Sequence, residues 1–349
     1  MKTTAIYALV ATALLAAFSC GPDTSGTTVP PVSLRIWVAD QPNKKVSMYD
    51  AGGNLIKVVG AVGMFSNPND IAIYKPDGST WICDFYTNRI RKFDAAGTPL
   101  YATPAPSEEG QEPLVRNATG ITINDTNGDC WVSDRGHNRV IRLNADGTVV
   151  AKVTGFLYPR SVAATPSRGN IWVTDEGHDA LILVPGTVQG DVSAGAVELA
   201  RYNGLQNPRA VAGDKEGNCW VTSTVAGRAE RIAQDGNRLA YVGGFGNPVA
   251  VAVNEAAGHV YVVDEEHGSV AALPRDLTTN AADYHTVAAF LLTGLSRPAD
   301  IYVDDQTERL YVAADGGGAI RIYDFAGNEV SAIENTGHAA AVAVWNAEE

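Results

Sequence analysis

Short apolar stretches separated by polar turns follow one another from residue 33 to the end of the chain, and they repeat. Seven times an apolar run starts at an aromatic residue and passes through a small one, and in five copies an aspartate follows directly. The copies are Trp37-Val38-Ala39-Asp40, Trp81-Ile82-Cys83-Asp84, Trp131-Val132-Ser133-Asp134, Trp172-Val173-Thr174-Asp175, Trp220-Val221-Thr222-Ser223, Tyr261-Val262-Val263-Asp264 and Tyr311-Val312-Ala313-Ala314. The aromatic residues lie 44, 50, 41, 48, 41 and 50 positions apart, a period that holds four short strands and predicts a propeller blade.

The flanks complete the unit. A connector with glycine and proline, such as Gly204-Leu205-Gln206-Asn207-Pro208 or Gly244-Phe245-Gly246-Asn247-Pro248, turns the chain and opens an innermost strand of small and branched residues (Ile71-Ala72-Ile73, Val251-Ala252-Val253). The aromatic strand comes second. A third strand of alternating character follows, such as Arg139-Val140-Ile141-Arg142-Leu143. Turns such as Asp50-Ala51-Gly52-Gly53 and Asn144-Ala145-Asp146-Gly147 then suit bulged hairpins into a fourth strand.

The first repeat begins at its aromatic strand and lacks an innermost one. Ala341-Val342-Ala343-Val344-Trp345 supplies that strand from the other terminus and is expected to pair with Arg35 to Asp40, sealing the ring and removing its exposed edges. The expected fold is all-β, a seven-bladed β-propeller of four-stranded antiparallel blades over 33–349, with six blades as the alternative if the repeats with long insertions are misassigned. Tryptophans recurring at one repeat position suit packing between blades.

The first residues have a different character. Lys2 precedes an apolar run from Ala5 to Phe18, too short for a comfortable permanent span, which reads as an export signal over 1–19. Leu15-Ala16-Ala17-Phe18-Ser19-Cys20-Gly21 resembles a bacterial lipobox; by that resemblance Cys20 carries the lipid, and 20–32 form a flexible tether. The expected location is the bacterial cell envelope, on its periplasmic or extracellular face, held at the membrane by the N-terminal lipid only. Cys130 and Cys219 lie two blades apart, too far for a disulfide, and Cys83 sits alone in blade 2; all three are read as buried thiols.

The formal net charge of −13, or −14 once Lys2 leaves with the signal, disfavours nucleic acid as a partner. A protein partner, or a small anionic or carbohydrate ligand, is expected for a monomeric chain.

Asp84-Phe85-Tyr86-Thr87-Asn88-Arg89 and Asp134-Arg135-Gly136-His137-Asn138-Arg139 carry the aspartate and Asn-x-Arg ending of the NHL repeat, which this chain resembles from Ser33 to Glu349. The resemblance implies a propeller but no single function, since propellers of this kind serve as enzymes, binders and scaffolds.

In a propeller the connectors and the loops between second and third strands share one face. That face is expected to gather His137, His178 and His267 from the loops and Asp70, Arg160, Arg209, Asp300 and His338 from the connectors. Arg160 and Arg209 hold the same register in neighbouring blades, an arrangement suited to a carboxylate or other anion. No cofactor or metal is assigned. Were an ion bound, His137 and His178 would be its ligands, because His267 lies too far round the ring for metal–nitrogen bonds of about 2 Å.

The recurring aspartates read as structural, bonding turn N–H groups and pairing with Arg89 and Arg139. Asn124 to Asp129 reads as a hairpin turn rather than a calcium loop. Pro104 to Pro113, with Glu108, Glu109 and Glu112, extends a connector that could overhang the polar face. Insertions at Pro185 to Ala196 and Pro274 to Val287 are expected on the opposite face. The leading functional reading is a ligand- or partner-binding propeller. The alternative is a metal-assisted lyase or lactonase-like hydrolase on the same face, resembling the propeller lyases, with catalytic residues unassigned.

Overall fold

The computed structural model describes residues 34–104 and 111–347. The expected export signal, Cys20, the tether, and Glu108 and Glu109 of the long connector lie outside the described residues. Within them, seven antiparallel sheets of four strands are arranged as a ring. Five are built from consecutive strands, beginning with blade 2 (Pro68–Tyr74, Ser79–Asp84, Arg89–Phe93, Pro99–Ala102), and blade 4 skips one, Gly190–Ser193, between its third and fourth. Blade 1 takes its innermost strand, Ala339–Asn346, from the far end of the sequence. That strand pairs antiparallel with Leu34–Asp40, Trp37 opposite Ala343 and Leu34 opposite Asn346. Innermost strands of neighbouring blades touch all the way round, including those of blades 7 and 1 and of blades 1 and 2.

The blades are held by what the repeat places between them. Each second strand is covered on both edges by its own sheet and on both faces by neighbouring blades, so Trp37, Trp81, Trp131, Trp172, Trp220, Tyr261 and Tyr311 are fully or almost fully buried. One apolar cluster joins Trp37, Val46 and Met48 of blade 1 to Ile71, Ile82 and Phe93 of blade 2. Another joins Trp81 and Ile90 to Ile121 and Val132. The indoles of Trp172 and Trp220 donate to the carbonyls of Gly217 and Arg275 in the next blade, at 3.2 and 3.0 Å. Trp345 donates to Lys75 O at 2.9 Å and so ties the closing strand to blade 2. Cys83, Cys130 and Cys219 are buried free thiols in the same interfaces.

The aspartates act on both sides of their strand. Asp84 accepts the N–H of Thr87 in the following loop at 3.2 Å, and also those of Ser66 and Asn67 in the preceding connector, at 2.8 and 2.9 Å. Asp264 does the same for Gly246, Asn247 and His267. A buried carboxylate thus fixes the turn that opens the innermost strand, a role that reading the strand end alone misses. The arginine pairing holds in one blade and fails in the other. Arg139 Nε donates to Asp134 Oδ2 at 2.7 Å, but Arg89 donates to Thr103 O, and it is Arg91 that lies 3.8 Å from Asp84. Asn124 to Asp129 is a hairpin turn, with Gly128 N–H bonded to Asn124 O at 2.8 Å.

Both insertions cover blade edges. Gly190–Ser193, from the blade 4 insertion, adds a parallel fifth strand to the outer edge of blade 3, pairing Ala151 to Thr154. In the blade 6 insertion Ala281 bonds to Tyr241 and Gly243 beside the outer strand of blade 5, and Tyr284 stacks on Phe245 at 4.5 Å. This explains why Arg142, in a strand whose sequence alternates, is buried: its guanidinium is enclosed by Asp129 and by Val188 O of the insertion.

Candidate functional site

The registers of the seven innermost strands define the mouth of the central channel. Pro68, Ala118, Pro159, Pro208, Pro248, Pro298 and Ala339 all pair with the last residue of their aromatic strand. The residue after each forms a first ring: Asn69, Thr119, Arg160, Arg209, Val249, Ala299 and Ala340. The next forms a second ring: Asp70, Gly120, Ser161, Ala210, Ala250, Asp300 and Ala341. Both rings line one cavity of about 1200 Å³ that runs along the axis. The wall is therefore unequal, with cations on blades 4 and 5, amide and hydroxyl groups on blades 2 and 3, small apolar residues on blades 6, 7 and 1, and two carboxyls one step deeper.

Arg160 and Arg209 stand side by side as their register requires. Arg160 Nη1 lies 3.3 Å from Glu176 Oε2, and the same carboxylate takes Arg135 Nη2 at 3.2 Å. Arg135 also lies over the ring of Tyr158, 4.9 Å from its centroid. Arg209 has no such partner. Among the described residues no hydrogen bond or ion pair engages its guanidinium. Burial, then the neighbouring Arg160 cation, pull its pKa down to about 10, with Glu265 and Glu176 acting in the other direction. It stays protonated at neutral pH, and an anion beside it would relieve both penalties.

Asp70 and Asp300 occupy one register two blades apart. Asp70 accepts the N–H groups of Ile71 and of Ile121 in the next blade, at 2.8 and 2.9 Å; Asp300 accepts Val342 N–H at 3.0 Å, bonding blade 7 to the closing strand. Burial, and for Asp70 also the Asp300 charge, outweigh these bonds and raise the two pKa values to about 8 and about 6. Because the folded values lie above the unfolded one, the native state holds the extra protons between about pH 4 and pH 8, and stability falls as pH rises through that window. In denaturant titrations at pH 5, 7 and 9 the wild type is expected to weaken steadily, and Asp70→Asn to flatten the slope. An unchanged slope in Asp70→Asn would place the titration elsewhere.

The histidines take other positions. His137, His178 and His267 each set Nδ1 at 2.8 Å from the aspartate of their own blade, Asp134, Asp175 and Asp264, and they do not line the cavity. His137 Nε2 also lies 3.3 Å from Glu112 Oε2 in the long connector. Position in the loop explains this, since the third residue after the aspartate turns back on it. In four blades the first residue after it faces the axis, so that Gln41, Phe85, Arg135 and Glu265 line the mouth. That position carries four of the site residues missing from the sequence reading; Asn67, Asn69 and Thr119 come from the connectors and Tyr86 from the next loop position. Of the expected residues, the structure gathers Asp70, Arg160, Arg209, Asp300 and His338 in the cavity wall. Among the described residues no group of three or more His, Cys, Asp or Glu side chains is placed to hold a metal ion.

No family model matches the chain, and no curated protein matches it. Solved structures do. Virginiamycin B lyase from Staphylococcus aureus superposes with a TM-score of 0.63 at 14% identity, over 81% of this chain and 88% of that one. A streptogramin B lyase gives 0.62 at 17% identity, over 80% and 87%. A functionally unknown protein from Desulfotomaculum acetoxidans DSM 771 gives 0.68 at 12% identity, over 89% and 98%. At these identities the likeness shows the propeller fold and nothing finer.

Proposed function

We propose that the chain is a binding module whose propeller mouth takes a small ligand through an anionic group, with Arg209 and Arg160 as the anchoring pair. The observation that carries this reading is the guanidinium of Arg209, which faces a large cavity beside a second arginine with no hydrogen bond or ion pair to it among the described residues. Leaving such a group unpaired is unfavourable in a site that evolves only for stability. Calorimetric titration with citrate and with inorganic phosphate is expected to show binding to the wild type. Arg209→Ala should weaken it at least tenfold, and Arg209→Lys should lie between, because an ammonium lacks the planar fork. A wild type that binds neither anion sinks the reading.

The second reading, a lyase or lactonase-like hydrolase at the same mouth, is favoured by Asp70 and Asp300, whose pKa values of about 8 and 6 suit proton transfer near neutrality. Turnover of an ester, lactone or lyase substrate, lost in Asp70→Asn with citrate affinity kept, would support it over binding alone.

The NHL-type assignment and the envelope anchor belong to the same proposal. Lipidation at Cys20 would hold the propeller at a membrane, and the described residues contain no helix long and apolar enough to cross one. The wild type is expected to leave the membrane fraction only with detergent, and Cys20→Ala to be released without it. A wild type soluble without detergent would exclude the anchor.

A further inference from the structure

We infer that the ligand of this mouth is an acidic oligosaccharide, a chain of sugar rings of which one carries the carboxylate held by Arg160 and Arg209. The inference rests on the anion-binding reading and adds three observations about the rest of the cavity.

The first is size. A cavity of about 1200 Å³ exceeds the roughly 300–1,000 Å³ that encloses a drug-sized molecule, so a single small anion would leave most of it filled with water. The second is the chemistry of the wall beyond the arginines. Gln41, Asn67 and Asn69 line it with amide groups, with Asp70 and Asp300 below them; the Thr119 hydroxyl is taken by Arg160 O at 2.7 Å and Asn69 Nδ2 by Thr119 O. Gln41 and Asn69 are joined at 2.9 Å, and Asn67's side-chain amide has no hydrogen-bond partner among the described residues. Paired amides and carboxyls of this kind match a ligand rich in hydroxyls, each of which donates and accepts. The third is aromatic. Tyr86 lines the rim with 66% of its surface exposed, and its ring and that of Phe85 meet in a T-shaped contact at 5.2 Å. An exposed ring beside polar groups offers a platform to the C–H face of a sugar.

A nucleotide would also stack on Tyr86, but only one guanidinium here is free of protein partners. One carboxylate matches that; a run of phosphates does not, least of all above two aspartates.

The test is calorimetry on the full chain with tetragalacturonate, tetramannuronate, galacturonate, methyl-esterified tetragalacturonate, citrate and AMP. At least one tetramer is expected to bind tenfold or more tighter than galacturonate. Esterification of tetragalacturonate is expected to cost it the affinity that it has beyond the neutral chain, and Tyr86→Ala, an exposed position, to weaken the tetramer at least fivefold more than it weakens citrate. Tetramers binding no tighter than citrate, with citrate still dependent on Arg209, would overturn the oligosaccharide while the anion site stands. AMP binding tighter than either tetramer and dependent on Tyr86 would overturn it in favour of a nucleotide. Failure of every probe, citrate included, would remove both readings.

Discussion

A chain ending at Thr336 is expected to lose cooperative unfolding, with its near-UV dichroism and its single thermal transition. The truncation removes all of Ala339–Asn346, the innermost strand of blade 1 and a wall of the channel. Its partner Leu34–Asp40 would keep one sheet neighbour and expose its other edge. Ala341, Val342, Ala343 and Val344 are buried between blades 7 and 2, so two interfaces open together. Asp300 loses the N–H of Val342, and Lys75 O loses the Trp345 indole. Gly337, which leads into the strand, sits at φ +76° with its Cα against the Asp40 carboxylate, a place where a β-carbon does not fit. Adding a peptide of residues 337–349 in trans should restore the transition, since the strand makes its contacts without needing covalent continuity. A truncated protein that melts like the wild type would show that the ring is not closed by this strand.

Asp134→Ala is expected to lower stability by about 3–5 kcal/mol, the cost of breaking a buried, hydrogen-bonded ionic cluster from one side. Asp134 has no exposed surface and accepts Arg116 N–H at 2.7 Å, His137 Nδ1 at 2.8 Å and Arg139 Nε at 2.7 Å. Its loss strands a half-buried guanidinium and frees the turn that opens the innermost strand of blade 3. For a domain of this length, a loss in that range lowers the melting midpoint by on the order of 5 °C. Asp40→Ala is expected to cost less, because among the described residues the cation beside Asp40 is Lys45, 3.7 Å away, rather than a directly bonded arginine. Differential scanning calorimetry of the two variants checks both values. Equal losses would mean that the Arg139 pairing contributes little.

The clamp also shows where reading along the chain stops. Asp134 and Arg139 lie five residues apart on paired strands, so their bond follows from the hairpin alone. The N–H of Arg116 comes from a connector eighteen residues upstream, and only the closed blade brings it there. Arg142 and Arg209 illustrate the same limit in opposite directions. Arg142 alternates with apolar residues like a surface position and is buried by an insertion from the next repeat. Arg209 is legible by its register beside Arg160, but the folded ring alone shows that Arg160 has Glu176 as a partner while no hydrogen bond or ion pair among the described residues engages the Arg209 guanidinium.

Repetition of a local pattern was enough to determine the blades, the strand that seals them and the face on which polar groups collect, while the choice of seven blades over six was settled by the folded ring. The blades, the strand and the face follow from strand periodicity and repeat register, which are properties of neighbours in sequence. Which side chains share the cavity was decided by tertiary structure. His137 and His178 turn back onto their own aspartates, while Arg135, Glu265 and Phe85, one residue after theirs, turn toward the axis. Side-chain direction within a loop depends on the local backbone and on what the adjacent blade presents. The charge state of Asp70 and Asp300 depends on burial within a closed ring, and no single repeat contains that ring.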